Sequence, residues 1–342
     1  MVKRILITGV NGYIGTVLAE KLQKKGYQVM GWDLNYFKNI TLGTYKNSYH
    51  SKKNDVRQNK LDLNQIDCIV HLAALSNDPM GALDEKLTFD INYKATIRLA
   101  RIARERGVKR FIFFSSCSIY GIAKKGIVNE ESIINPLTAY AKSKALAEKE
   151  LYKLKNDSFC VCLLRNATVY GFSPRFRNDL VVNNLVTCGL ALGQIKVLSD
   201  GTPWRPLIDV RDLCNIICKF IEVDAKKING EIYNVGFNNS NYQIKDILGV
   251  IKESLPKCEI VFTGEHGKDT RSYKVDFSKI SNLFADTTPK WPIRKSVLHL
   301  IKMLKKHKFS SKDFEQGKFI RLSRLQSLIS RKRLNKNLQW QN

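Results

Sequence analysis

Short apolar runs alternate with stretches of helical spacing from the first residues onward. Arg4-Ile5-Leu6-Ile7-Thr8 reads as a buried strand, and the chain after Gly9 to Gly15 reads as a helix running to about Lys25. Tyr27 to Trp32 is the next strand, ending at Asp33, and Asp67 to Leu72 is another, followed by a loop through Ser76-Asn77-Asp78-Pro79. Leu87, Ile91, Ala95, Leu99 and Ala103, four apart, put one apolar face on a helix that stops at Gly107. Arg110 to Phe114 is a strand ending in Ser115-Ser116. This alternation predicts an α/β fold: a doubly wound, Rossmann-type parallel sheet with helices on both faces. Ligands of such sheets sit beyond the carboxyl ends of the strands.

From about Asn166 the pattern loosens into loops rich in Asn, Gly, Pro and Arg, before a strand-like Gly230 to Val235. The organisation expected is a first domain over 1–165, with 205–237 returning to it, and a smaller C-terminal substrate-binding domain over 166–300. The tail, 301–342, holds twelve Lys and Arg against two acids, with Leu322, Leu325 and Leu328 at helical spacing. It reads as a basic amphipathic helix, packed on the body or binding something acidic.

The chain has 342 residues, 44% of them hydrophobic, enough for one large domain and a smaller one. Lys and Arg outnumber Asp and Glu by 57 to 31, a formal charge of +26. That surplus suits nucleic acid, an anionic membrane or a phosphate-bearing substrate, or is a Lys-rich background on solvated faces. No RNA-binding signature or zinc-finger spacing is present, so nucleic acid is not an expected partner, nor is a metal site. The eight cysteines form no CxxC pair and read as reduced and structural. There is no signal peptide and no run of membrane-spanning length, and a cytoplasmic protein is expected.

Thr8-Gly9-Val10-Asn11-Gly12-Tyr13-Ile14-Gly15 places glycines where a strand turns into a helix. The first permits the tight turn, the second lets the backbone approach a pyrophosphate, and the third lets helix and strand pack closely. The helix N-terminus then offers free N–H groups to the anion. A glycine-rich stretch alone is weak evidence; after a first strand and opening a helix it is specific. Asp33, 18 residues beyond Gly15, can accept both hydroxyls of an adenosine ribose and would repel a 2′-phosphate. No Arg follows within ten residues to receive such a phosphate, so NAD is the expected cofactor and 1–165 the NAD-binding domain. Asp55 and Val56, and Leu72 with the small residues Ala73 and Ala74, are weaker candidates for the same site.

Tyr140-Ala141-Lys142-Ser143-Lys144 sets a tyrosine and a lysine one helical turn apart on one face. Tyrosine is a poor base near neutrality because its ordinary pKa is about 10, and a neighbouring ammonium favours the phenolate. Ser116, ending the strand from Arg110, can orient a substrate oxygen. Tyr and Lys at this spacing occur by chance in many helices; here they accompany a dinucleotide fingerprint.

With these motifs the chain resembles the extended short-chain dehydrogenase/reductases, and among them the NAD-dependent nucleotide-sugar epimerase/dehydratase group. The matching stretches begin at 8–15, 67–74, 111–121, 140–144, 165–171, 202–213 and 269–273, covering roughly residues 1 to 300 in order. The resemblance implies Ser116, Tyr140 and Lys144 as the catalytic set. It also implies that Gly9, Asn11, Gly12, Tyr13, Ile14, Gly15 and Asp33 hold the cofactor, and that Arg205, Arg271 and Asn183 contact the diphosphate of a nucleotide sugar. Planar guanidinium forks suit phosphate oxygens. A homodimer is the family expectation, as is work in precursor synthesis for surface polysaccharides or glycans.

The family's 4,6-dehydratases carry an Asp–Glu pair directly after the catalytic Thr; here those places hold Cys117 and Ser118. Members that epimerise at C3 and C5 carry a cysteine two before the Tyr of the TyrGly pair, and Cys117 is three before Tyr120. What remains is C4 epimerisation through a transient ketone, simple oxidation or reduction at C4, or a non-catalytic NAD-binding protein. The intact Ser116, Tyr140 and Lys144 argue against the last. Asp209 stands where the family usually has a histidine.

Overall fold

A computed structural model describes residues 2–59, 61–122, 126–263 and 272–341. The apolar runs, joined at one edge by the polar segment His50–Lys53 that the hydrophobic pattern does not predict, lie side by side as one seven-stranded sheet, numbered here in chain order as β1 (Arg4–Thr8), β2 (Gln28–Asp33), β3 (His50–Lys53), β4 (Cys68–His71), β5 (Arg110–Ser116), β6 (Cys160–Asn166) and β7 (Ile232–Val235). Across the sheet the order is β7-β6-β5-β4-β1-β2-β3. Every pairing is parallel. The winding reverses between β1 and β4, and such a switch point opens a crevice at the carboxyl edge.

Successive residues of a strand face opposite ways, and both faces are covered. Ile5 and Ile7 belong to one core cluster with Leu18 and Leu22 of helix α1 (Tyr13–Lys24). Leu6 joins Ile69, Phe111 and Phe113 in a second cluster, with Leu99 of α2 (Ala95–Glu105) and Ala147 of α3 (Ala139–Tyr152). Further along, α4 (Val181–Leu192), α5 (Val210–Glu222) and α6 (Ile293–Lys306) follow. α5 packs beside α1, and α4 and α6 share a separate core built on Val182, Val186, Val297 and Leu300. Among the described residues no helix is long and apolar enough to cross a membrane.

Register aligns the strand ends. Thr8 pairs with Trp32 on one side and His71 on the other, and His71 with Phe113. The residues that follow, Gly9, Asp33, Leu72 and Ser116, therefore emerge along one edge. His71 fastens that level from inside: its buried ring bridges the hydroxyls of Thr8 at 2.7 Å and Thr96 at 2.8 Å, and burial pulls its pKa down to about 3.

The helix read from Leu87 to Ala103 contains a π turn, Asp90–Lys94, between Glu85–Phe89 and α2. Positions four apart drift by about 40° per step in an α-helix, and the wider turn takes up that drift. It also directs Asn92 inward. That amide bonds both the N–H (2.9 Å) and the carbonyl (3.1 Å) of Leu75 and reaches Ser143 Oγ at 3.2 Å. The loop after β4 is thereby tied to α3, a use typical of π turns near functional sites.

The basic C-terminal residues pack on the body. Helix α7 (Arg321–Ser330) buries Leu325 and Leu328 against Leu75, Met80 and Leu87, and Leu334 and Leu338 join the same cluster. Burial of a leucine side chain is worth roughly 1.5–3 kcal/mol, so this contact is a strong one.

Candidate active site

A cavity of about 980 Å³ opens at the switch point. That lies at the upper end of the roughly 300–1,000 Å³ usual for small-molecule sites. Its wall includes Gly9, Gly12, Tyr13, Ile14, Gly15, Asp33, Asp55, Val56, Leu72, Ala73 and Ala74, together with Ser116, Tyr140, Lys144 and Arg205. Asn11 and Asn183 are not part of the lining, and Arg271 lies outside the described residues.

The glycine loop fits a dinucleotide diphosphate by its own geometry. Gly9 has φ +72°, a left-handed conformation, and a Cβ there would stand 3.0 Å from the Ala73 nitrogen. A Cβ on Gly15 would stand 2.3 Å from the Gly9 carbonyl oxygen, so only glycine lets α1 start this close to β1. Gly12 caps α1 without a side-chain bond, and no acid occupies the first turn. Its leading N–H groups have no intrahelical acceptors and carry the positive end of the helix dipole.

Asp33 is fixed before any ligand arrives. Its carboxylate accepts the N–H of Asn11 at 3.0 Å and of Asn35 at 2.7 Å. Burial raises its pKa, and these two donors work in the opposite direction. Asn11 thus serves Asp33 through its backbone, while its amide bonds Asn35 behind the cavity wall. Asp55 is held by Arg57 through a forked pair, the closest contact being 2.6 Å. Asp33→Ala is expected to weaken NAD binding by roughly 10- to 100-fold, the worth of hydrogen bonds to a charged group, and to narrow the preference over NADP. Calorimetry with both cofactors measures this; NADP binding the unaltered protein as well as NAD would contradict the assignment.

On the opposite wall, Thr138 caps α3 by accepting the Ala141 N–H at 3.2 Å, which places Tyr140 in the first turn and Lys144 one turn on. Lys144 is 3% exposed. Its ammonium donates to the Phe114 carbonyl at 2.7 Å and lies 4.6 Å from the Phe113 ring centre. Burial pulls its pKa down to about 7. The Ser116 hydroxyl accepts the Ser118 N–H at 3.1 Å and so caps the short turn Cys117–Tyr120. Beside it, Ser115 Oγ, Ser118 Oγ and Asn166 Oδ1 are buried without hydrogen-bond partners among the described residues, and all three residues line the cavity. Unsatisfied polar atoms at one wall mark a place for a polar ligand.

Asn183, expected at a diphosphate, is instead buried behind the wall. Its Oδ1 accepts the Gly171 N–H at 2.9 Å and its amide donates to the Arg177 carbonyl at 3.0 Å and Tyr13 Oη at 3.3 Å. It holds Tyr13 in place; its amide is used up by the fold. Asp209 likewise has a structural task. It caps α5 through the Arg211 N–H, pairs with the Arg211 guanidinium at 2.7 Å and accepts the Ser296 hydroxyl.

The cavity also contains residues with no local sequence signal: Arg177, paired with Asp179 at 2.8 Å, and Arg321 and Leu325 from α7. Arg177 and Asp179 sit in an irregular loop, and α7 follows the last sheet strand by some 85 residues.

A Rossmann sheet with a glycine loop and a Ser, Tyr and Lys on one cavity defines a dinucleotide-dependent enzyme of the short-chain dehydrogenase/reductase type. The chain belongs to the NAD dependent epimerase/dehydratase family, whose model matches residues 5–236, and its cofactor is NAD. It is 25% identical over 293 residues to UDP-glucuronate 4-epimerase of Thermodesulfobacterium geofontis, covering 81% of this chain and 89% of that one. It is also 25% identical over 334 residues to the dTDP-D-glucose 4,6-dehydratase of Mus musculus, covering 92% of each. Among solved structures, the UDP-glucuronic acid 4-epimerase of Bacillus cereus in complex with UDP-glucuronic acid and NAD is similar with a TM-score of 0.76 and 25% identity, covering 89% of this chain and 99% of that one.

Proposed function

We propose that this protein epimerises a nucleotide-linked sugar at C4 through a transient 4-keto sugar. The observation that carries the reading is the wall next to Ser116, where no acid pair follows the serine. Cys117 points its thiol into the protein, donating to the Arg165 carbonyl at 3.2 Å, and burial pushes its pKa up. Ser118 presents only a hydroxyl. Neither side chain can move protons at C5 and C6 as dehydration requires. The 4-epimerases among the relatives support the same choice, and their substrates make UDP-sugars the first class to try.

Bound NAD supplies reversible hydride acceptance at the sugar carbon. Tyr140 removes the C4 hydroxyl proton and later returns it, with the Lys144 ammonium favouring the phenolate. Ser116 orients the oxygen. Arg205, with Arg271, binds the substrate's diphosphate as a planar fork.

The test is a panel of UDP-, GDP-, dTDP- and CDP-sugars carrying deuterium at C4, with products read by NMR and mass spectrometry. Epimerisation keeps the substrate's mass and the label. Loss of water would overturn the argument from Cys117 and Ser118. Label appearing in free reduced cofactor would make the enzyme a 4-dehydrogenase.

A further inference from the structure

The C-terminal residues close the cofactor side of the cavity. Beyond the apolar packing of α7, they are fastened by polar contacts to the segments that follow β2 and β3. Trp340 Nε1 donates to the Leu34 carbonyl at 2.6 Å, Arg57 Nη1 donates to the Asn337 carbonyl at 2.7 Å, and the Tyr36 hydroxyl donates to the Leu338 carbonyl. Leu34 directly follows Asp33, and Arg57 grips Asp55. The strap therefore crosses the end of the cavity where an adenosine would lie.

Within that strap Arg321 forms no ion pair among the described residues, its guanidinium lying 4.3 Å from the Phe37 ring centre. It is 3% exposed and forms part of the cavity wall. Nη2 donates to the Arg175 carbonyl at 2.7 Å, while Nη1 is buried with no hydrogen-bond partner among the described residues. Burial is the main cause that brings its pKa down to about 9, and nearby Arg177 adds to the effect. Asp179, one of the acids that act on Arg321, is already engaged by Arg177 through two bonds. A buried guanidinium that meets no anion is costly to the fold.

Its neighbours locate that anion. Arg321 interacts electrostatically with Asp33 and with Arg177, and all three line the cavity together with Gly9 and Gly12. Arg177 in turn interacts with Tyr13, in the first turn of α1, and with Tyr140. A dinucleotide reaching from the Asp33 carboxylate to Tyr140 along this cavity would place its diphosphate between them. We propose that Arg321 is a cofactor-binding residue that meets the NAD diphosphate opposite the glycine loop, and that the strap from Arg321 to Trp340 holds NAD in place. NAD binding is measured without sugar nucleotide, so this inference stands or falls apart from the epimerase reading.

The experiment uses the full chain, stripped of nucleotide, in calorimetry with NAD, adenosine and UDP separately. Arg321→Gln is expected to weaken NAD by about tenfold or more, as loss of one charged hydrogen bond does, while leaving adenosine and UDP binding unchanged. Unaltered NAD affinity in a folded Arg321→Gln protein overturns the proposal. So does a loss confined to UDP, which would assign Arg321 to the substrate's diphosphate instead. If Arg321→Gln fails to fold, Trp340→Ala carries the test, since it loosens the strap from outside the cavity. Its NAD dissociation, followed by stopped-flow fluorescence, should be several-fold faster, and an unchanged rate overturns the strap's role. Hydrogen exchange on the unaltered protein adds an independent reading: NAD should protect the amides of 321–340, and no added protection counts against the proposal.

Discussion

Tyr140→Phe is expected to lower turnover by about 10³-fold, within the range that loss of a positioned acid–base group costs, with fold and NAD affinity nearly unchanged. The ring stays: Phe fills the same space, where Gly81 lies so close that a Cβ on it would be 3.0 Å from Tyr140 Cβ. Only the hydroxyl goes, and with it the group that the proposed mechanism uses as proton acceptor for the sugar's C4 oxygen. Because that group acts in the transition state more than in substrate binding, kcat should fall far more than KM changes. Steady-state kinetics with an accepted sugar nucleotide, beside a calorimetric NAD titration, separates the two effects. A variant retaining near-normal kcat would remove Tyr140 from the chemistry.

The parts of this site written in contiguous residues were legible from sequence. The glycine loop follows from one turn joining one strand to one helix, and Tyr140 and Lys144 from a single turn of α3. Their meeting at one cavity depends on strand register, which the motif order implied: Thr8, Trp32, His71 and Phe113 lie level across the sheet. The π turn at Asp90–Lys94 was not legible, because the apolar spacing of four is compatible with an ordinary helix. What reveals it is Asn92, a buried amide whose partners, Leu75 and Ser143, are distant in sequence.

Other residues misled for the opposite reason. Asn183 has the right type for a diphosphate contact, yet the loop holding Gly171 and Arg177 and the Tyr13 hydroxyl consume its hydrogen bonds. Arg321 looked like one cation in a basic tail of twelve. Its difference from the rest is burial, and burial comes from Leu325 and Leu328 seating α7 on Leu75, Met80 and Leu87. Leucine spacing showed that the tail had an apolar face, but could not show which surface that face would meet.

Lys144→Met should damage turnover and cofactor binding together, with turnover lower by about 10³-fold as for a lost acid–base partner. Its pH behaviour gives the sharper check. Burial holds Lys144 near pKa 7 in the folded protein, against an ordinary value of 10.5. Between those values the unfolded chain binds a proton that the folded protein does not, so stability from this group rises with pH across that window. Below about pH 7 the buried ammonium is charged in both states and its cost is fully present. Met carries no such cost. The Tm difference between cofactor-free variant and parent should therefore favour the variant most below pH 7 and shrink as pH rises toward 10. On the proposed cofactor role of Lys144, bound NAD would reverse the balance in the parent, because hydroxyls of the cofactor would give the ammonium partners beyond the Phe114 carbonyl. Above pH 7, NAD binding by the parent should take up close to one proton and weaken as pH increases. Calorimetry in two buffers of different ionisation enthalpy measures that uptake. Uptake of the same size in Lys144→Met would show that the proton belongs to another group, and would detach Lys144 from the cofactor.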